Sequence, residues 1–131
     1  MGLQITVTSG DVGAYRVKLV GVLDTGTAQQ LDDALVPVLA DPAARAIRLE
    51  LQDLTYISSM GLGMIARARK GIEAKGGVLA VIGAQPSVAK VFEIARMLPK
   101  EVVFANREEA DAYFAAIQEK VLSGELKPRV H

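Results

Sequence analysis

Two short segments near the start of the chain alternate between apolar and polar residues. Apolar side chains occupy every second position of Leu3–Val7 and again of Tyr15–Leu19. A period of two is typical of a strand with one buried face, and Ser9-Gly10-Asp11 between the segments has the composition of a turn. We therefore predict that the chain begins with an antiparallel β-hairpin.

The pattern then changes to the period of an α-helix. The apolar stripe of the first predicted helix consists of Ala28, Leu31, Leu35 and Val38. Thr27 stands where an N-cap residue is expected, and Pro37 should kink the helix or end it early. Asp41-Pro42 closes this segment.

Strands and helices alternate along the middle of the chain. The alternation within Ile47–Leu51 predicts a third strand, and a second helix should begin at Ser58 or Ser59 and run to about Ala74. Its stripe consists of Gly61, Ile65, Ala68 and Ile72. The uniformly apolar segment Val78–Ile82 is typical of a strand that is covered on both faces.

The last third of the chain predicts two more helices around a short strand. Pro86 suits the first turn of a helix that stops before Pro99. The segment Val102–Phe104 predicts a strand, and Asn106 with Glu109 resembles a capping box at the start of a fourth helix.

The predicted order is therefore β-β-α-β-α-β-α-β-α. Strands joined through helices pair in parallel by right-handed crossovers, so we expect an α/β fold with a mixed, mostly parallel sheet of about five strands and four helices. The 131 residues show no internal repeat or linker. We expect a single domain over residues 1–131, with a core of about residues 3–118 and a C-terminal tail of about residues 123–131.

Composition argues against several classes of function. Half of the residues are hydrophobic and 15 basic residues balance 15 acidic ones, which argues against a disordered chain and against direct nucleic-acid binding. No apolar run reaches the roughly 18–20 residues that span a bilayer, and the N-terminus lacks the pattern of a signal peptide. We expect a cytoplasmic protein without membrane insertion.

Most of the usual catalytic side chains are missing from the sequence. The chain has no cysteine, and its one histidine is His131, the last residue. A disulfide, a thiolate zinc site and a cysteine nucleophile are therefore excluded, and a catalytic triad or a histidine metal site would have to use the chain end. We expect no catalytic residue, no cofactor and no metal, and a function in binding or switching.

Two adjacent serines, Ser58 and Ser59, stand at the predicted start of the second helix. The free N–H groups and partial positive charge there stabilise an anion by roughly 0.3–1 kcal/mol, so either serine is a candidate phosphate acceptor. The alternative is that they only cap the helix, which is worth about 1 kcal/mol. Gly61 and Gly63 would leave the backbone open to a partner, and they match no nucleotide-binding motif.

Two motifs of this region resemble a known family. The segment Tyr56–Gly63, Tyr-Ile-Ser-Ser-Met-Gly-Leu-Gly, is similar to the signature of STAS-domain anti-sigma factor antagonists, which often have Tyr-Ile-Ser-Ser-Ala-Gly-Leu or Met-Asp-Ser-Ser-Gly-Leu-Gly. The segment Gly21–Ala28, Gly-Val-Leu-Asp-Thr-Gly-Thr-Ala, resembles the family's Gly-x-Leu-Asp-x-x-Thr-Ala. The family fold has the predicted order of elements, and the resemblance covers about residues 3–118.

The resemblance implies a phosphorylation switch. In this family the unphosphorylated antagonist binds an anti-sigma factor that is also a serine kinase of the histidine-kinase-like ATPase type, and thereby frees a sigma factor. Phosphorylation of a serine at the start of the second helix breaks the complex, and a PP2C-type phosphatase resets it. The antagonist is then a substrate and a binder, and not an enzyme.

One departure from the family pattern affects the choice of serine. In the Asp-Ser-Ser-Gly form the serine before the glycine accepts the phosphate, but here Met60 precedes Gly61 and Ser58 stands in the place of the aspartate. Ser59 matches the first serine of that form and lies nearer the glycines. We therefore expect Ser59, ahead of Ser58, to be the phosphoacceptor.

The expected partner-binding surface surrounds these serines. It consists of Asp24, Thr25, Met60, Gly61, Leu62, Gly63 and Met64. Asp24 follows the second strand at the same end of the sheet, where it would dock the partner or orient the acceptor hydroxyl; the alternative is an Asx turn. For Gly61 the alternative is tight packing against the sheet, and for Leu62 and Met64 it is a place in the core.

Two other functions stay open. A STAS domain can also serve as a subunit of a transporter, a lipid-trafficking complex or a stress-signalling assembly, because a fold does not determine a function. A small nucleotide-binding enzyme would need a phosphate clamp, and the sequence has no Walker lysine motif. The free-standing length and the intact serine pair favour the antagonist.

Overall fold

The computed structural model describes residues 2–10, 13–96 and 103–122. Within these ranges the chain forms five strands and four helices, in the order that the sequence predicts. They are β1 (Leu3–Ser9), β2 (Ala14–Leu23), α1 (Ala28–Ala40), β3 (Ala46–Ile57), α2 (Ser59–Glu73), β4 (Val78–Ile82), α3 (Pro86–Ala95), β5 (Val103–Phe104) and α4 (Arg107–Leu122). The predicted α/β architecture is confirmed.

The five strands form one mixed sheet in which the spatial order follows the chain order. β1 and β2 pair antiparallel, from Leu3 opposite Gly21 to Ser9 opposite Tyr15, as the predicted hairpin requires. The other three pairs are parallel, since each is connected through a helix. β3 shifts register against β2 at two places, each time with one extra residue in β3, so β3 is longer than its neighbour.

The hydrophobic core lies between the sheet and the first three helices. β3 contributes Ile47, Leu49 and Leu51, whose side chains are fully buried by the alternation that the sequence shows. The stripe predicted for α2 is buried, and Val88 and Phe92 of α3 join the same cluster. Each fully buried side chain of this size contributes roughly 1.5–3 kcal/mol, so this layer supplies most of the stabilisation.

α4 covers part of the opposite face of the sheet. The guanidinium of Arg48 lies 4.5 Å from the centre of the Phe114 ring and pairs with Asp111. Glu50, which the alternation places on the solvent side, is only 8% exposed, with Arg107 Nε 3.0 Å from its carboxylate. Glu50 is buried because a helix that is distant in sequence packs over it.

The caps of the first and last helices differ from each other. Thr27 gives no side-chain cap to α1; its hydroxyl donates to Val22 O at 2.9 Å and accepts from the Asp24 N–H. Thr27 is therefore the N-cap residue by position, as predicted, but its side chain makes no capping bond. At α4, by contrast, Asn106 Oδ1 accepts the Glu109 N–H at 3.0 Å, as predicted.

Pro37 does not end α1 early, because the helix continues to Ala40. The helix α3 ends at Ala95, with Arg96 as a left-handed C-cap, so the predicted stop before Pro99 is confirmed. Two other predictions, the strand residue Val102 and the tail of about residues 123–131, lie outside the described residues. Within those ranges the helices are too short or too polar to cross a membrane.

A hydrogen bond ties the start of β2 to the end of α1. The Tyr15 hydroxyl donates to the Asp41 carboxylate, and the Ala43 N–H donates to the same carboxylate at 2.9 Å. These two bonds, the one from Tyr15 first, lower the pKa of Asp41, while the same contact raises the pKa of Tyr15. The link is therefore sensitive to acid.

Replacing Tyr15 by Phe should reduce the acid sensitivity of folding. The pKa of Asp41 in the folded protein lies below its ordinary value of 3.8. The hydrogen bond from Tyr15 therefore stabilises the fold fully above pH 3.8, and this stabilisation is lost as the pH falls through the folded-state pKa. Urea unfolding between pH 7 and pH 2 should show the Tyr15→Phe protein less stable at neutral pH, with the difference narrowing in acid. A difference that stays constant with pH would contradict the link.

Candidate functional site

The two sequence motifs meet at the carboxyl ends of β2 and β3. Leu23 and Ile57, the last residues of these strands, are opposite each other in the parallel register. The Ser58 N–H donates to Leu23 O at 2.8 Å and so joins the two connections that follow. The predicted proximity of the Asp24 segment and the serine pair is confirmed.

Ser58 is the N-cap of α2. Its backbone is extended, and its hydroxyl oxygen accepts the Gly61 N–H at 3.1 Å. The Ser58 carbonyl accepts the first helical hydrogen bond from the Leu62 N–H at 2.9 Å. Both oxygens of Ser58 are thus committed to starting the helix.

Ser59 is the first residue of α2, and its environment is different. Its side chain is exposed, and its hydroxyl has no hydrogen-bond partner in the part of the chain that the structure describes. Because helical bonding begins at Leu62, the N–H groups of Ser59 and Met60 have no acceptor within the helix. Ser59 therefore presents a free hydroxyl beside two free backbone donors.

The two glycines of the motif have different roles. A Cβ on Gly61 would lie 2.5 Å from Leu23 Cγ and 3.0 Å from Leu23 O, so the helix approaches β2 too closely for a side chain. The expectation that Gly61 leaves its backbone open to a partner was wrong, since Leu23 fills that space. A Cβ on Gly63 would meet nothing within 4 Å, so the open position in the described structure is Gly63.

The apolar residues of the motif divide between core and surface. Leu62 is 6% exposed and belongs to the core, so its expected place on the partner surface was wrong. Met64 is half-buried and packs against the core. Met60 is 49% exposed, and Tyr56, which sequence reasoning did not select, is 53% exposed. The register shift in β3 between Leu54 and Tyr56 turns this ring outward.

Asp24 forms a closed turn with Thr27. Its Oδ1 accepts the Thr27 N–H at 2.9 Å and lies 3.1 Å from the Thr27 hydroxyl, while its carbonyl accepts from the Ala28 N–H. This local turn is close to the Asx-turn alternative, but its bond reaches three residues on, as an N-cap bond does, and not two. Asp24 thereby positions the exposed residues Thr25 and Gly26 at the tip of the connection.

Sequence comparison identifies the family to which these motifs belong. The model of the STAS domain matches residues 5–110. An anti-sigma-B factor antagonist of Staphylococcus aureus (strain NCTC 8325) is 30% identical over 106 residues, covering 81% of this chain and 94% of that protein. Residues 5–110 include both motifs and every element from β2 to β5.

Solved structures show the same fold. The anti-sigma factor antagonist SpoIIAA in its unphosphorylated form superimposes with a TM-score of 0.75 at 20% identity, covering 86% of this chain and 97% of that one. A sulfate transporter family protein from Wolinella succinogenes superimposes with a TM-score of 0.72 at 19% identity, covering 86% and 93%. The fold is therefore shared by proteins that bear different names.

The capping geometry predicts different stabilities for the two serine variants. Ser58→Ala removes the acceptor of the Gly61 N–H and should lower the free energy of unfolding by about 1 kcal/mol. Ser59→Ala removes a solvated hydroxyl and should change it by less than about 0.5 kcal/mol. Urea denaturation of both variants measures the difference, and equal effects would contradict the assignment of Ser58 as the cap.

The glycines provide a matched pair of alanine substitutions. Gly61→Ala should lower the free energy of unfolding by about 1–3 kcal/mol, because the methyl group displaces Leu23. Gly63→Ala should raise it by up to about 1 kcal/mol, because alanine is the better helix former and nothing obstructs it. Thermal melts of both variants test this, and a Gly61→Ala protein as stable as the parent would contradict the tight contact.

Proposed function

This chain belongs to the STAS domain family, and we propose that it acts as an anti-sigma factor antagonist whose binding is switched by phosphorylation of Ser59. In the unphosphorylated state it binds, in the cytoplasm, an anti-sigma factor that is also a serine kinase, and so releases a sigma factor. A PP2C-type phosphatase returns the protein to this state. The protein itself catalyses nothing. Support comes from the antagonist of 30% identity.

The observation that carries the proposal is the exposed, unengaged hydroxyl of Ser59 next to a cap made by its neighbour. A kinase must bring an acceptor hydroxyl to the phosphate of ATP, so a hydroxyl that is already free in the folded chain needs no rearrangement. The hydroxyl oxygen of Ser58, by contrast, already accepts the Gly61 N–H, so a kinase would have to disturb the helix cap to engage it. The geometry therefore favours Ser59 over Ser58.

The surroundings of Ser59 explain how one phosphate could act on binding and spare the fold. A phosphate on Ser59 brings about −1.5 to −2 charges to the N-terminus of α2, where the helix dipole and free N–H groups favour an anion. The nearest exposed side chains along the chain are the apolar Met60 and Tyr56. In a complex they would form a desolvated contact, and a dianion without a counter-ion there commonly costs several kcal/mol.

The partner surface that we propose is smaller than the sequence suggests. It retains Met60, Gly63 and the tip at Thr25, and it adds Tyr56. Asp24 shapes this surface through its turn with Thr27. The surface does not include Gly61, Leu62 and Met64. These residues lie beneath it and hold α2 in place by packing against β2 and the core.

The fold does not distinguish an antagonist from a subunit of a transporter or another assembly, because a sulfate transporter family protein has the same fold. The antagonist of 30% identity, which this chain matches over 94% of its length, favours the sigma-factor pathway. A small nucleotide-binding enzyme has no comparable support.

The switch predicts opposite behaviour for two substitutions of Ser59. Ser59→Asp should weaken binding to the anti-sigma factor kinase of the source organism by more than about tenfold, or 1.4 kcal/mol, while Ser59→Ala should bind like the parent. Both should fold, because a carboxylate in the first turn of a helix is favourable. Calorimetric titration against the purified kinase measures binding, with circular dichroism melts as the control for folding.

Ser58→Asp is the matched control. Aspartate is also a good N-cap, so this variant should keep both the fold and the binding. If Ser58→Asp loses binding and Ser59→Asp keeps it, the switch acts at Ser58.

Direct phosphorylation is the second test. Incubation of the protein with the kinase and ATP, followed by phosphopeptide mapping, should give one phosphate on Ser59 and none on the Ser59→Ala protein. A phosphate outside the serine pair would overturn the proposal.

A further inference from the structure

β1 is an edge strand, and the direction of its backbone groups is known. Gly2 O accepts the Val22 N–H at 3.2 Å, and the Gly10 N–H donates to Ala14 O at 2.7 Å. Successive residues of an antiparallel strand turn their N–H and C=O groups to opposite sides. The even-numbered residues therefore pair with β2, and the odd-numbered residues of Leu3–Ser9 turn theirs toward the free edge.

Only one end of this edge is covered. The Gln30 side chain donates to Leu3 O at 2.7 Å, whereas the outward backbone groups of Ile5 and Val7 have no partner in the described structure. The strand pairs with β2 over seven positions without a register shift, so it carries no bulge. Its sequence, Leu-Gln-Ile-Thr-Val-Thr-Ser, contains neither charge nor proline. Bulges, charges and proline are the usual devices that protect an edge from pairing.

We propose that this edge binds β1 of a second copy of the chain, antiparallel and about a two-fold axis, so that two five-stranded sheets become one. Full overlap of Leu3–Ser9 with itself places Thr6 on the axis, opposite Thr6 of the second copy. Ile5 then lies opposite the second copy's Val7, and Gln4 lies opposite its Thr8. Within Gln4–Thr8 apolar residues meet apolar ones and polar residues meet polar ones, which suits an isologous contact, while Leu3 at each end lies opposite the second copy's Ser9.

The backbone supports this register independently of the side chains. Ile5 and Val7 both turn their N–H and C=O groups outward, so each opposed pair can exchange two hydrogen bonds. Thr6 turns its groups inward, and the pair on the axis is therefore a non-hydrogen-bonded pair, with Cα atoms about 4.5 Å apart. The strand brings no like charges together, since it has none.

α1 widens the contact beside the strand. Gln30, Ala34 and Pro37 follow the spacing of one helix face, and the bond from Gln30 to Leu3 places that face next to β1. Ala34 is half-buried and Pro37 is exposed, and neither is charged. A contact of one strand and part of a helix face is smaller than the roughly 1,200 Å² of a stable complex, so association should depend on concentration in the micromolar to millimolar range.

Single cysteines test the register, because the chain has no cysteine of its own. Under mild oxidation Thr6→Cys should form a disulfide-linked dimer at least about tenfold faster than Thr8→Cys, since a Cα separation of about 4.5 Å suits a disulfide and Thr8 lies opposite Gln4. The two positions are on the same face of the same strand and are both exposed. Equal rates would overturn the proposed pairing.

Sedimentation velocity of the unmodified chain, without any kinase, tests the association itself. The mass should rise with concentration from 13.9 kDa toward twice that value. Val7→Lys should keep it at the monomer value, and Ile94→Lys, at an apolar residue that is 72% exposed on α3, should associate like the parent. A parent that stays monomeric at millimolar concentration, or equal loss of association in both variants, would overturn the proposal while leaving the phosphorylation switch untouched.

Discussion

The close contact between Gly61 and Leu23 governs the geometry of the whole site. No Cβ fits between α2 and the end of β2, so the helix start is held against the strand. The bond from the Ser58 N–H to Leu23 O fixes the same junction through the backbone. With the helix held there, the Ser58 hydroxyl faces the Gly61 N–H. Ser59 is left as the next residue along, with its hydroxyl in solvent.

The elements themselves could be predicted from the chain because their signals are local. The alternation at Ile47–Leu51 and the stripe that includes Ile65 and Ile72 each report one buried face, and the structure buries them. Asn106 also caps α4 as its local sequence suggests. Such patterns need no knowledge of which other segment provides the covering surface.

The features that could not be predicted depend on contacts between distant segments. Glu50 is buried because α4 returns across the sheet, and Gly61 is needed because Leu23 approaches it. Threonine is a common capping residue, yet the Thr27 hydroxyl donates to Val22 O and does not cap α1. The outward position of Tyr56 follows from a register shift between strands. In each case the local residue type permits two outcomes, and the tertiary neighbour selects one.

The serine pair shows the same limit at the site. Both serines satisfy the rule for an N-cap equally well, so local sequence cannot decide which of them starts the helix. The bond to Leu23 O decides it by fixing the backbone of Ser58 just before the first turn. Ser58 then stabilises the helix by about 1 kcal/mol as its cap, and Ser59 takes no part in capping. A modification of Ser59 changes the charge of the surface without removing a contact that the fold requires, which is the property that a reversible switch on a marginally stable domain needs.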